Sequence, residues 1–348
     1  MLRLFDPDQR RDFVARRPGE KKLGETMPII EEIDELRTSS AQFVVLGLCE
    51  DIGIQANLGS AGAAEAWSFF LPAFVNFQDN QFLRGNNILV LGYLDFASSL
   101  AQTKDLDPAL EEDLNQLRFI CEEIDSQVCK VVEKIVANNK VPILIGGGHN
   151  NALGVIKGWS LATKRRLSVL NIDRHADFRS LEGRHSGNPF HYAWKEGFIQ
   201  RYAVFGLDES YTNQYILDLF DENDSLSYVS FDQLLRCSET ELKDRFEKVL
   251  HWLQPTCIGL EVDMDCVGYF PASAKTPSGF SLNQLRQFVQ IASRQKQPVY
   301  FHLSEASPGL AESVNDRDLL GKALSLLTAD FIKSHTKKPA HKGVFQFK

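Results

Sequence analysis

In the stretch LNIDRHADFR, residues 170–179, Asp173, His175 and Asp177 stand at every second position after an apolar run. An extended backbone projects such residues from one face and sends Arg174 and Ala176 to the other. One imidazole and two carboxylates on one face are donors suited to a divalent cation. Three further stretches end the same way. VPILIGGGHNN closes with three glycines and His149, and glycine lets the chain turn sharply enough to bring an imidazole near another element. TCIGLEVDMDC closes with Asp263 and Asp265, again two apart, and PVYFHLSEASP closes with Glu305. Four aspartates gathered without cations would repel, and would be protonated or driven apart. Two divalent cations balance them. Two imidazoles and four carboxylates without a thiolate favour Mn(II), or a similar ion, over structural zinc.

The elements that must hold these residues are legible as alternating patterns. Apolar runs at 43–49, 87–93, 141–147, 167–173, 256–263 and 298–304 suit strands buried on both faces of a parallel sheet. Between Pro108 and Lys140, Leu110, Leu114, Leu117, Cys121, Ile124, Val128, Val131 and Ile135 step by three and four, which predicts one amphipathic helix. Strands alternating with helices predict a doubly wound, three-layer α/β/α fold with a central parallel sheet, its ligand sites beyond the carboxyl ends of the strands. The reading divides the chain into a polar N-terminal arm at 1–40, a single α/β domain at 41–335 and a basic tail at 336–348.

Composition narrows the partners. With 43% hydrophobic and 24% charged residues over 348 positions, the chain reads as globular, and its net charge of -8 argues against nucleic acid. No apolar stretch reaches the roughly 20 residues of a membrane span, and MLRLFDPDQRRDFVARRPGEKK lacks the apolar core of a signal peptide. A cytoplasmic protein with a small-molecule partner is expected, its six cysteines reduced, since none forms a C-x-x-C pair.

The ordered set GGGH, DxHxD, DxD with a following T-P stretch, and a late strand ending in Glu resembles the ureohydrolase superfamily of arginases, agmatinases and formimidoylglutamases. The resemblance spans roughly residues 43–330. It implies an arginase-like fold and two Mn(II) per chain. His149, Asp173, Asp177 and Asp263 would take one ion, and Asp173, His175, Asp263 and Asp265 the other, so that Asp173 and Asp263 bridge. Relatives are commonly oligomeric, which implies a homo-oligomer. LEGRHSGN, GGGHNN and EDIGIQANLGSAGAAEAW resemble the formimidoylglutamase branch most. Two departures stand out: Ser186 occupies the place of a histidine found in arginases and agmatinases, and Arg174 replaces a small residue.

That branch implies hydrolysis of a linear C–N bond in an amidine, with N-formimidoyl-L-glutamate, an intermediate of histidine degradation, giving formamide and L-glutamate. Arginase-, agmatinase- or guanidinobutyrase-like release of urea from a guanidine is the alternative, and an inactive metal-stabilised binding protein a more distant one. Glu305 is the candidate to accept the amidinium N–H donors, Asp265 to hydrogen-bond the attacking hydroxide, and His185 or His191 to carry a proton to the leaving amine. Ser186, Asn188 and Arg184 are candidates for the substrate tail. Alternation sends Arg174 away from the metals towards a supporting salt bridge, and the loop around Arg184 leaves that guanidinium free to grip a carboxylate.

Overall fold

Nine strands form one sheet: β1 (Leu2–Leu4), β2 (Phe43–Cys49), β3 (Ile88–Asp95), β4 (Val141–Ile145), β5 (Leu167–Ile172), β6 (Ile199–Leu207), β7 (Leu226–Ser230), β8 (Ile258–Asp263) and β9 (Tyr300–Ser304). The computed structural model describes residues 1–254 and 256–336. Strand order is β1-β3-β2-β4-β9-β8-β5-β6-β7. Only β1 runs antiparallel to its neighbour. Parallel neighbours need crossovers, and the intervening helices cover both faces.

On one face lie α1 (Ala66–Val75), α5 (Glu239–Trp252), α6 (Leu282–Lys296) and α7 (Val314–His335); on the other lie α2 (Glu111–Ala137), α3 (Asn151–Thr163) and α4 (Pro189–Lys195). The strands explain why two cores form. In β2, Phe43 and Val45 enter the first core while Val44, Leu46 and Leu48 enter the second. Each such side chain stabilises the fold by roughly 1.5–3 kcal/mol when fully buried. The long helix α2 buries Leu117, Ile124, Val128 and Ile135 against the second core, with Glu111, Glu112 and Asp113 in its first turn and Lys134 in its last. That charge order complements the helix dipole.

All six expected strands are present. The sequence reading passed over β1, β6 and β7, which lie at the sheet's edges or beside one. Gln200 and Arg201 interrupt the apolar pattern of β6, and β1 has three residues. Residues 1–40 are not a free arm: β1 extends the sheet, Phe5, Val14, Leu23 and Met27 enter the first core, and Leu36 enters the second. Of the expected tail, 337–348 lies outside the described residues. No helix among the described residues is long and apolar enough to cross a membrane.

For function, the decisive feature is the sheet's centre, where β4, β9, β8 and β5 are neighbours. Their ends are level, since Ile145 pairs with Leu303, Leu303 with Val262 and Val262 with Ile172. Chain segments more than 150 residues apart therefore release their loops at one edge.

Candidate metal centre

Each central strand delivers one part of the site. After β4, Gly146 and Gly147 adopt positive φ of 88° and 74°. A Cβ on Gly147 would lie 2.5 Å from the Asn151 amide nitrogen, so the turn needs glycine twice over. This turn seats His149 in the interior, fully buried. Its Nδ1 stands 2.9 Å from Asp177 Oδ2, 3.2 Å from Asp263 Oδ2 and 3.4 Å from Asp173 Oδ2. A second group adjoins it. His175 Nδ1 lies 3.0 Å from Asp265 Oδ2 and 3.5 Å from Asp173 Oδ1. The two groups, His149–Asp173–Asp177–Asp263 and Asp173–His175–Asp265, share Asp173. Asp263 gathers with the first, while its Oδ1 accepts the Asp265 backbone N–H.

Buried electrostatics show what this gathering requires. Burial, reinforced by Asp173, pushes the Asp177 carboxyl up to about 6. Burial also drives Asp263 well above the ordinary carboxylate range, with Asp265 and Asp173 adding to it. Glu305 is pushed up to about 8 by burial, against the His149 N–H that it accepts and with Asp265 and Asp177 adding. His149 and His175 move the other way: burial opposes their charge, but the surrounding carboxylates outweigh it and hold both well above the usual imidazole range. The cluster thus calls for positive charge. Both ring nitrogens of His149 and Oδ1 of Asp265 are buried without a hydrogen-bond partner. Oxygen and nitrogen donors left open in this way fit a pair of divalent cations such as Mn(II).

Two residues accept strained backbone to reach the centre. Asp177 has φ 43° and Glu305 φ 62°, a region that costs non-glycine residues about 1–3 kcal/mol. Glu305 is tied down from both sides, its N–H donating to Gly147 O at 3.0 Å and its Oε1 accepting the His149 N–H at 2.8 Å. Beneath the glycine turn lies Glu50, unremarked in the sequence reading. It accepts from the side chains of Asn150 and Asn151 and from the backbone N–H groups of Gly148, Ile52 and Gly53.

Above the cluster opens a cavity of about 400 Å³. His175, Asp177, Asp263, Asp265 and Glu305 line it, as do Ser186 and Arg179. Ser186 Oγ accepts from Asn57 Nδ2 at 3.3 Å. Arg184, His185 and Asn188 are not brought to this cavity. Arg184 is 2% exposed, with Nε on Asp125 Oδ2 at 2.8 Å, one terminal nitrogen on Asn150 O at 3.0 Å and the other on Asn188 Oδ1, while its guanidinium lies over Tyr192. The expected free guanidinium is instead spent holding the loop to α2. His185 is fully buried, accepts the Gly187 N–H at Nδ1, and is pushed down to about 3 by burial and by Arg184. Asn188 Nδ2 donates to Ser180 O and Gly183 O. His191 stacks on Phe178 and meets Arg179 O through Nδ1. Arg174 points away from the cluster and pairs with Asp208 and Ser278 O, although residues 173–177 lie beyond β5 as bends and a positive-φ turn and not as the extended backbone expected.

Known proteins resemble the chain over most of its length. The chain is 24% identical to a formimidoylglutamase of Streptococcus pyogenes serotype M12 over 302 residues, which is 82% of this chain and 84% of that one. A Trypanosoma cruzi formiminoglutamase solved with Mn2+ shares the fold at a TM-score of 0.71 and 17% identity, over 92% of this chain and all of that one. A formimidoylglutamase from Bacillus subtilis gives 0.73 at 17% identity, over 92% and 93%. A family model described as the arginase family matches residues 85–329, and the chain belongs to that family.

Proposed function

We propose that the chain is a binuclear manganese-dependent hydrolase that cleaves N-formimidoyl-L-glutamate to formamide and L-glutamate. The observation that carries this reading is Arg179 in a cavity whose floor is the carboxylate cluster. An acidic floor accepts an amidinium, and the guanidinium near it suits a tail that ends in carboxylate. A cationic tail, as in agmatine, would face like charge there. The names carried by the relatives support the same substrate class.

The reaction consumes one water: its oxygen joins the formimidoyl carbon, the C–N bond to glutamate breaks, and the amine leaves with a proton. His149, Asp173, Asp177 and Asp263 would hold one ion, and Asp173, His175 and Asp265 the other, with Asp263 within reach of sharing. When bound, the ion pair supplies a water acidic enough to ionise near neutral pH. The chain's own groups do the rest. Glu305, fixed by the His149 N–H, accepts the amidinium donors and sets the carbon over the centre. Asp265 Oδ1, without a partner, is placed to accept a proton from the water and pass it to the leaving nitrogen. That role replaces the shuttle assigned to His185, whose ring is sealed. Arg179 and Ser186 bind the tail.

Incubating the Mn(II)-loaded protein with formimidoylglutamate, arginine, agmatine and guanidinobutyrate, and assaying formamide, urea and ammonia, tests this directly. Formamide from the first alone is expected. Urea from a guanidine would replace the substrate assignment while leaving the centre standing.

A further inference from the structure

Below the cluster, β8 and β9 carry charged and polar side chains at positions where a buried strand is normally apolar. Glu261 precedes Asp263 by two residues, so both point to the sheet face covered by α2 and α3. Its cross-strand partners are Asn171 on β5 and His302 on β9, and all three are fully buried. Glu261 Oε2 meets His302 Nδ1 at 2.7 Å, and Oε1 accepts the Tyr300 hydroxyl at 2.8 Å. Tyr300 reaches it by lying across Gly259, where a Cβ would come 2.3 Å from the ring. The same Oε2 stands 3.5 Å from Nε2 of His149. His149 is thereby flanked on both sides, its Nδ1 facing the aspartate cluster and its Nε2 facing Glu261 at contact distance, without a formed hydrogen bond.

A neutral imidazole carries one N–H and one lone pair, and only the lone pair binds a cation. With the proton on Nδ1, His149 could not serve the cluster. We propose that Glu261 is a positioning residue that holds the His149 proton on Nε2 and so reserves Nδ1 for the cation, Tyr300 and His302 holding the carboxylate in place. This inference rests on the two-ion reading of the centre. It gives a reason for a buried carboxylate that is otherwise expensive, since an apolar residue would fill the same space without the desolvation cost. His175 has no such need: its side chain is 31% exposed and water can serve its other nitrogen.

The test is Mn(II) titration of the full chain followed by electron paramagnetic resonance, comparing the parent with Glu261→Gln. Glutamine keeps one oxygen and puts an NH2 group in place of the other, so one of Tyr300, His302 and the facing His149 Nε2 meets a donor where Glu261 presents an acceptor. One Mn(II) of the pair should weaken roughly ten- to a hundred-fold while the other stays within about threefold, the loss typical of removing the partner that orients a ligand. Two ions bound as tightly as in the parent would overturn the proposal. So would equal weakening of both, which marks a framework role. A parent chain that takes fewer than two ions would overturn the two-ion reading itself. A second measurement needs no substitution at Glu261. In Zn(II)-loaded protein with nitrogen-15 histidine, the resonance missing from His149→Asn should show its proton on Nε2, and a proton on Nδ1 would refute the assignment.

Discussion

The two halves of the centre share Asp173 but live in different surroundings. The His149 ring itself is closed in: it is fully buried, forms a T-shaped pair with Phe190 at 5.1 Å, faces Glu261 with one nitrogen and sits on a turn anchored by Glu50, so that of its group only Asp177 and Asp263 reach the cavity. Around His175 the protein opens. Its ring lines the cavity, with exposed Tyr211 at 5.9 Å and Asp265 beside it. The contrast assigns the halves different work. In the closed half, position is set by the fold through many fixed partners; in the open half, the groups face a cavity and have fewer of them.

The largest effect should come from the residue that joins the halves. Asp173→Asn is expected to loosen both ions and to lower formamide release by about a thousand-fold or more, since groups acting as a unit fail together. Loss of only one ion, measured by metal analysis after gel filtration, would mean that the halves are less coupled than the shared carboxylate implies. Next comes the loop that walls the closed half. Arg184→Ala removes the partner of buried Asp125, whose carboxyl is already pushed up to about 6 by burial despite Arg184. Breaking such a pair should destabilise the chain by about 3–5 kcal/mol in denaturant melts. A stable variant with a raised KM would put Arg184 at the substrate after all.

Much of this was legible in the sequence, for identifiable reasons. The spacing drew attention to Asp173, His175, Asp177, Asp263 and Asp265, and the glycines before His149 announced a turn. The strands nevertheless end at Ile172 and Asp263, and bends, a 3-10 turn at Met264–Cys266 and the positive φ of Asp177 gather these side chains instead of strand alternation. Glu261 and His302 also left a signal, a charged and an ionisable residue inside the apolar runs IGLEVD and YFHLS, which the reading passed over. The burial of Arg184 was not decidable in that way. What captures Arg184 is Asp125 on α2, 59 residues earlier, and no local pattern reports that contact. Glu50 was hidden likewise, because the donors that tie it to the glycine turn lie about a hundred residues ahead.

Smaller effects sharpen the open half. Arg179→Ala should raise KM for formimidoylglutamate about ten- to a hundred-fold, some 1.5–3 kcal/mol for one charge-assisted contact, and leave a tailless formamidine unaffected. Equal losses on both substrates would place Arg179 in the loop's framework. Smallest is a dependence on pH in the metal-free chain. Glu305 is raised to about 8, Glu50 to about 7 by burial with Asp51 adding, and Asp177 to about 6, so the folded state holds more protons than the unfolded one between about pH 5 and 8. Stability should therefore fall as pH rises through that window, read as a Tm lower by several degrees at pH 8 than at pH 5.5. Mn(II) should reduce the slope, because it takes the place of the proton on Asp177 and its charge favours the ionised form of nearby Glu305, while Glu50 keeps its own dependence; a rising Tm without metal would contradict the crowding of carboxylates.

The central claim is two cations at one sheet edge in unequal surroundings. Crystals grown with Mn(II) and measured at the manganese absorption edge test it most directly. Two anomalous peaks are predicted, one among His149, Asp173, Asp177 and Asp263 and the other against Asp173, His175 and Asp265, with the second opening on the cavity that Arg179 and Glu305 line. A single peak, or a peak lodged between Glu261 and His302, would contradict the account.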